Sequence, residues 1–274
     1  MRHEVLIFAD GKLKKAGFST KLFSTLVNCG SGLFETILLL DGRPVFLTEH
    51  LKRLYESAGF SEICLPEPEE FYNKLLEFSY GLKQDKAALK VSAYFPASEE
   101  TLIYCQFKEY SYPDELLKTG VSLCISELRR HSANPVYVHK HIFRAENDLV
   151  QREAKTRGRF DAIVLNEKGF ITETSKANIF LIKQGHIFTP PISHGLLPGV
   201  VKNVIIENFN VREKSIKVEE IFDADEVFLT NSLVGVLPVL QIEDKSYHSC
   251  MTVSQIQPRV WKLFRKSLFQ KAHD

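Results

Sequence analysis

The chain has 274 residues, with 35 basic and 34 acidic side chains, so a broad electrostatic grip on nucleic acid is excluded and there is length for one large domain or two medium ones. Its five cysteines (Cys29, Cys64, Cys105, Cys124, Cys250) are odd in number and form no CxxC pair, which points to reduced thiols and away from a zinc knuckle or a disulfide framework. No apolar run reaches the ~20 residues of a membrane span and the N-terminus has no signal-like stretch, so a cytoplasmic small-molecule enzyme is expected.

In chain order, Glu4–Phe8 is a short β-prone run closed by Asp10-Gly11, and 12–25 reads as loop. Leu33–Leu40 is an apolar strand ending at the hairpin signal Asp41-Gly42, with a return through Pro44-Val45-Phe46. Thr48 is placed to cap a helix over Glu49–Ala58, stopped by Gly59, and a second helix is expected from Glu67 to Phe78 with Phe71, Leu75 and Phe78 on one face. Ala87–Phe95 and Thr101–Tyr110 read as strands joined across Pro96-Ala97-Ser98. Ser111-Tyr112-Pro113-Asp114 is the linker candidate, which predicts a smaller domain over 1–112 and a larger one over 113–274.

The second half opens with a strand, Val121–Ser126, and a loop over Arg129–Tyr137. A helix is expected over Phe143–Arg157, then strands at Ala162–Leu165, Phe170–Glu173, Asn178–Ile182 and Ile187–Phe188. Leu197-Pro198-Gly199 leads into a helix over Val200–Phe209. Strands at Glu226–Thr230 and Gly235–Ile242 precede a last amphipathic helix over Thr252–Phe269.

Several stretches could carry chemistry. Lys140 stands between His139 and His141; it reads as a solvated surface lysine, or as an amine made less basic by its surroundings and so suited to imine formation. Glu173 ends an apolar run and is either a solvated strand end or the partner of a cationic ring nitrogen. Gly199, Val200 and Val201 open a helix whose free N–H groups suit a phosphate, with Asn231 and Ser232 as further donors; an ordinary Pro-Gly turn is the alternative. No carboxylate or cysteine completes a metal set with His131, His139 and His141, so no metal is expected, and no GxGxxG, Walker or GxSxG motif occurs.

In order, Gly32-Leu33-Phe34-Glu35-Thr36, His50-Leu51-Lys52-Arg53-Leu54, His139-Lys140, Thr172-Glu173 with Asn178-Ile179-Phe180, Leu197-Pro198-Gly199 and Thr230-Asn231-Ser232-Leu233 resemble the class IV aminotransferases, the fold-type IV pyridoxal phosphate enzymes. The resemblance covers about 30–239. It implies a two-domain α/β (α+β) fold with the cofactor between the domains, and a homodimer. It makes Lys140 the Schiff-base lysine and proton shuttle, Glu173 the partner of the pyridine nitrogen, and Arg53, Val200, Val201, Asn231 and Ser232 the phosphate contacts. Arg144, four residues after the lysine where branched-chain and D-amino acid transaminases carry tyrosine, resembles aminodeoxychorismate lyase, as does Asn-Ser-Leu-x-Gly-x-x-Pro-Val at 231–239. That lyase makes 4-aminobenzoate and pyruvate for folate synthesis, and Thr36 matches a threonine near its substrate. Arg144 meets either a substrate carboxylate or a helix-surface partner. Leu38, Phe143 and Val201 depart from the arginine, asparagine and threonine common in relatives, and Asn28-Cys29-Gly30-Ser31-Gly32 replaces the usual Tyr-Gly-Asp-Gly. The expected activity is that lyase; a transaminase is the second reading and a non-catalytic binding module the third.

Overall fold

The computed structural model describes residues 3–9, 12–16, 32–80, 82, 84–94, 101–248 and 251–269. The expected turn at Asp10-Gly11, the stretch 17–31 and the joint at Pro96-Ala97-Ser98 lie outside these residues. The chain divides into two compact units. One comprises Met1–Ser111, Lys140–Phe143 and Leu263–Asp274, the other Tyr112–His139 and Arg144–Lys262.

The first unit holds an antiparallel sheet of β1 (His3–Ala9), β2 (Lys12–Ala16), β3 (Gly32–Leu40), β4 (Arg43–Pro44), β5 (Lys86–Tyr94) and β6 (Thr101–Glu109), in the order β2-β1-β6-β5-β3-β4. Lys12–Ala16 is therefore an edge strand, not loop. Its register with β1 runs from Val5↔Ala16 to Ala9↔Lys12. Helices α1 (Leu47–Phe60) and α2 (Pro68–Ser79) cover one face, where Leu33, Ile37 and Leu39 of β3 form a core with Leu51, Leu54, Phe71 and Leu75. Thr48 does not cap α1. Phe46 holds the N-cap position at φ 53°, in the left-handed region, and Gly59 is still helical. Phe46 is fixed there by packing: its ring meets Phe264 edge-on at 5.3 Å, and its N–H donates to Ser267 Oγ.

Lys140–Phe143 joins this unit by pairing with the start of β3. Phe34 N–H donates to the Lys140 carbonyl at 2.9 Å, and Ile142 N–H to the Gly32 carbonyl at 2.9 Å, around a Leu33↔His141 bridge. Gly32 permits the approach, because a Cβ there would lie 2.6 Å from Ile142 Cδ1 and from the Ala93 carbonyl.

The second unit contains a closed barrel. Its strands are β7 (Val121–Arg130), β8 (Asp161–Asn166), β9 (Ile171–Thr174), β10 (Asn178–Lys183), β13 (Glu226–Asn231) and β14 (Gly235–Ile242), each paired to the next and β14 back to β7. One pair, Glu173↔Asn178, closes it between β9 and β10. Closure leaves no unpaired edge among these six strands. Short β11 (His186–Thr189) and β12 (Val211–Glu213) extend β10, and β15 (Lys245–Ser246) pairs β14. Phe180 and Phe228 stack at 4.8 Å between β10 and β13.

With α1 and α2 already placed, the remaining helices are α3 (Asp114–Thr119), α4 (Ala145–Thr156), α5 (Val200–Asn208), α6 (Val218–Phe222) and α7 (Met251–Ser267). Helix α4 sets Val150 and Ala154 against Cys124, Ala162 and Val164. It starts two residues later than expected, leaving Arg144 at its N-cap. Strand β7 continues past Ser126 through an irregularity between Ile125 and Arg129, so Arg130 lies on a strand where loop was expected. The short elements α3, α6 and β12 were not anticipated; each is at most six residues and carries too little periodicity to read.

Candidate active site

In the first unit, chemistry gathers on the two faces of β3. Strand alternation sends Phe34 and Thr36 to one face and Leu33, Glu35 and Ile37 to the other. On the helix side, Glu35 is 1% exposed, which a carboxylate tolerates only with strong partners. Arg53 of α1 donates to it twice, Nε to Oε1 at 2.8 Å and Nη2 to Oε2 at 2.7 Å, and His50 Nδ1 lies 2.7 Å from Oε2. His50 and Arg53 reach one carboxylate because they are three apart on one helix face. Burial opposes the Glu35 charge, but the guanidinium and imidazole outweigh it and hold the carboxyl far below the usual range. Burial pushes His50 down, toward the neutral imidazole. Arg53 is thus fixed along one edge by Glu35. Nothing in its spacing from Lys140 signalled that brace; a lone Glu inside the apolar run 33–40 was the available clue.

On the opposite face, the Lys140 ammonium lies 4.7 Å from the centre of the Phe34 ring. Lys140 stands directly across from Phe34 in the local pairing, so both side chains share that face. Thr36, the one half-exposed residue of β3, is on it too.

In the second unit, Glu173 sits at the barrel's closing pair. Its Oε1 accepts from Arg130 Nη1 at 2.6 Å and its Oε2 from Asn178 Nδ2 at 3.0 Å. Arg130 also donates Nε to Glu146 at 2.7 Å, and its guanidinium lies 4.9 Å from the Tyr137 ring centre, with Tyr137 Oη donating to Glu146. Burial works against the Arg130 charge, yet Glu173 and Glu146 raise its pKa further. A carboxylate pinned at both oxygens by cationic and amide donors stays ionised and rigid, as the partner of a protonated ring nitrogen must.

Asn178 links Glu173 to helix α5. Its Nδ2 also donates to the Leu197 carbonyl at 2.9 Å, and its Oδ1 lies 2.0 Å from where a Gly199 Cβ would stand. Gly199 has an ordinary φ of −66°, so it is there for space, not for conformation. It is the N-cap of α5 and offers no side chain, leaving the N–H groups of Val200 and Val201 without acceptors inside the helix. Both valine side chains are buried and anchor the helix start. Thr230 lies opposite Asn178 in the β10–β13 pairing and shares its face. Among the described residues, its buried Oγ1 has no hydrogen-bond partner.

Asn231 shapes the next turn: its Oδ1 accepts from the N–H groups of Leu233 and Val234, and its Nδ2 donates to Tyr112 Oη. Ser232 sits in that turn, half-buried. Arg144 Nη2 and Asn147 Nδ2 both donate to the Ser175 carbonyl at 2.7 Å, fixing the turn that follows Glu173.

These sets fit a phosphorylated pyridine: a rigid carboxylate, a helix start cleared of side-chain atoms, and an orphaned buried hydroxyl beside them. The Amino-transferase class IV family model matches residues 32–242. The chain belongs to the class IV aminotransferase family. That family depends on pyridoxal phosphate, and its members share this mixed α/β fold. The chain is 30% identical over 252 residues to a Thermotoga maritima protein named "Probable branched-chain-amino-acid aminotransferase", covering 89% of each. It is 29% identical to aminodeoxychorismate lyase of Bacillus subtilis, covering 80% of each. The branched-chain aminotransferase structure from Thermoproteus uzoniensis matches at a TM-score of 0.82 and 24% identity, covering 97% of this chain and 94% of that one, a likeness of fold.

Among the described residues, no helix is long and apolar enough to cross a membrane, and no group of three or more His, Cys, Asp or Glu side chains could hold a metal ion.

Proposed function

We propose that the chain is a pyridoxal phosphate-dependent lyase that converts 4-amino-4-deoxychorismate to 4-aminobenzoate and pyruvate in folate synthesis. The observation that carries this reading is Arg144, at the position where the transaminases place tyrosine, with its guanidinium on the Ser175 carbonyl just beyond Glu173. Thr36, half-exposed on the same face of β3 as Lys140, supports it.

In this reading Glu173 takes the pyridine nitrogen. The N–H groups of Val200 and Val201, Ser232 in the turn that Asn231 shapes, and Arg53 would hold the phosphate. Bound there, pyridoxal phosphate supplies an electron sink for the substrate carbon that bears the amino group. Lys140 Nζ removes the proton from that ring carbon and returns one to the departing three-carbon fragment, which leaves as pyruvate while the ring becomes aromatic. No acceptor keto acid is consumed. Exposed Val136, Phe143 and Leu149, close to Lys140 in sequence, support a homodimer, and the reduced-thiol composition supports a cytoplasmic site.

The second reading is a transaminase on branched-chain or D-amino acids, favoured by the Thermotoga relative. Pyruvate release from 4-amino-4-deoxychorismate, measured without any keto acid, separates the two. Turnover that starts only when 2-oxoglutarate or pyruvate is added assigns the transaminase.

A further inference from the structure

Glu146 stands in the first turn of α4, two residues after the N-cap Arg144. Its partner Arg130 is buried between two carboxylates: Nη1 donates to Glu173 Oε1 at 2.6 Å and Nε to Glu146 Oε1 at 2.7 Å. The second oxygen of each carboxylate has a neutral donor, Asn178 Nδ2 for Glu173 at 3.0 Å and Tyr137 Oη for Glu146 at 2.8 Å. Burial and the Glu146 carboxylate push the Tyr137 phenol up to about 12, so at neutral pH it stays the donor in that bond. An acid that only answered the dipole of α4 would need neither partner. Glu146 is instead built into the far side of the group that holds Glu173.

We propose that Glu146 is a positioning residue for the cofactor chemistry: by neutralising Arg130 it leaves the negative charge of Glu173 available to a protonated ring nitrogen. The inference rests on the reading of Glu173 as the partner of that nitrogen. Were Arg130 paired with Glu173 alone, the pair would be neutral, and a ring nitrogen beside it would gain little from holding a proton. With Glu146 in place, two carboxylates share one guanidinium, and the three groups together keep one negative charge in a buried setting that water screens weakly. Both carboxylates act on Arg130 and raise its basicity against the effect of burial. Arg144 also acts on Glu173, and it has acids of its own in Asp148, one turn on in α4, and Asp161 of β8. Its Nη2 is spent on the Ser175 carbonyl. Asn178 and the Tyr137 phenol add no charge. Arg130 thus fixes the place of Glu173, and Glu146 removes the electrostatic cost of fixing it with a cation.

The test uses the full chain loaded with pyridoxal phosphate that carries the heavy nitrogen isotope in its ring. The NMR shift of that nitrogen reports directly whether it holds a proton, and it needs no turnover. At neutral pH the wild type gives the protonated signal. Glu146→Gln, which keeps the shape and an acceptor but not the charge, moves the signal toward the unprotonated position. Arg130→Met with Glu146→Gln removes the cation together with its counter-charge and returns the signal toward wild type, the reverse of what the loss of two structural contacts would do. An unmoved signal in Glu146→Gln, or a double variant at least as displaced as the single one, overturns the proposal. Glu173→Gln separates this result from the reading beneath it. If that variant moves the signal and Glu146→Gln does not, the proposal fails and Glu173 remains the ring partner; if neither moves it, both fail. If Glu146→Gln does not fold, Glu146→Ala decides: added formate, which supplies a carboxylate, restores the protonated signal and formamide does not, whereas equal signals with the two overturn the proposal.

Discussion

Gly199→Ala tests the junction between Glu173 and the start of α5. The new Cβ would lie 2.0 Å from Asn178 Oδ1, far inside contact distance, while the backbone at φ −66° accepts alanine without strain. Asn178 must swing away, and at 5% exposure it has no solvent to swing into. It would give up the bond to the Leu197 carbonyl, worth about 1 kcal/mol, and the bond to the ionised Glu173, worth about 1.5–3 kcal/mol. Restricting the unfolded chain returns about 0.4–1 kcal/mol. The net cost is about 1.5–3.5 kcal/mol, or roughly 3–14 °C in Tm at about 2–4 °C per kcal/mol. Because the helix start is also reshaped, affinity for pyridoxal phosphate, followed by fluorescence quenching, should fall more than about tenfold, the equivalent of about 1.4 kcal/mol. A variant that melts with the wild type and binds the cofactor equally well would refute the account of Gly199 as a spacing residue.

Other outcomes follow from the same contacts. Arg130→Met leaves Glu173 and Glu146 without their shared cation and should cost about 3–5 kcal/mol in urea unfolding. Adding Glu173→Gln should recover part of that loss, and strict additivity would contradict a shared ion pair. His50 is depressed below its ordinary value of about 6.5, so its contribution to stability is present above about pH 6.5 and lost as pH falls through the folded value. His50→Gln should therefore lower proton uptake on unfolding near pH 5.5 by up to about one proton; an unchanged uptake in calorimetry runs against a neutral buried His50. Glu35 is depressed as well, so the stability it contributes is present above about pH 4.3 and lost below it. The gap between wild type and Glu35→Gln should begin to narrow below about pH 4.3 and keep narrowing as pH falls toward the strongly depressed folded value, and a constant gap would remove the ion-pair explanation.

What the sequence made legible was periodic or local. Phe71, Leu75 and Phe78 repeat at helical spacing and are buried on α2, and Asp41-Gly42 and Gln184-Gly185 are turns whose residues take positive φ. Apolar runs at 162–165 and 178–182 read as strands because both of their faces are buried. Long-range closure left no trace. The single Glu173↔Asn178 pair turns a sheet into a barrel, and no spacing announces it. The braces behind the candidate site were missed for the same reason: Arg130 and Glu173 are separated by 43 positions, and Arg53 and Glu35 by 18. Thr48 misled because capping preference is local, whereas Phe46 is held by the distant Phe264 and Ser267.

The central claim is that Lys140 is the amine that holds the cofactor. The direct measurement is borohydride reduction of the protein loaded with pyridoxal phosphate, followed by peptide mapping. The account predicts one stable phosphopyridoxyl adduct, located on Lys140 and absent from Lys140→Ala. An adduct on any other lysine, or none at all, would contradict it.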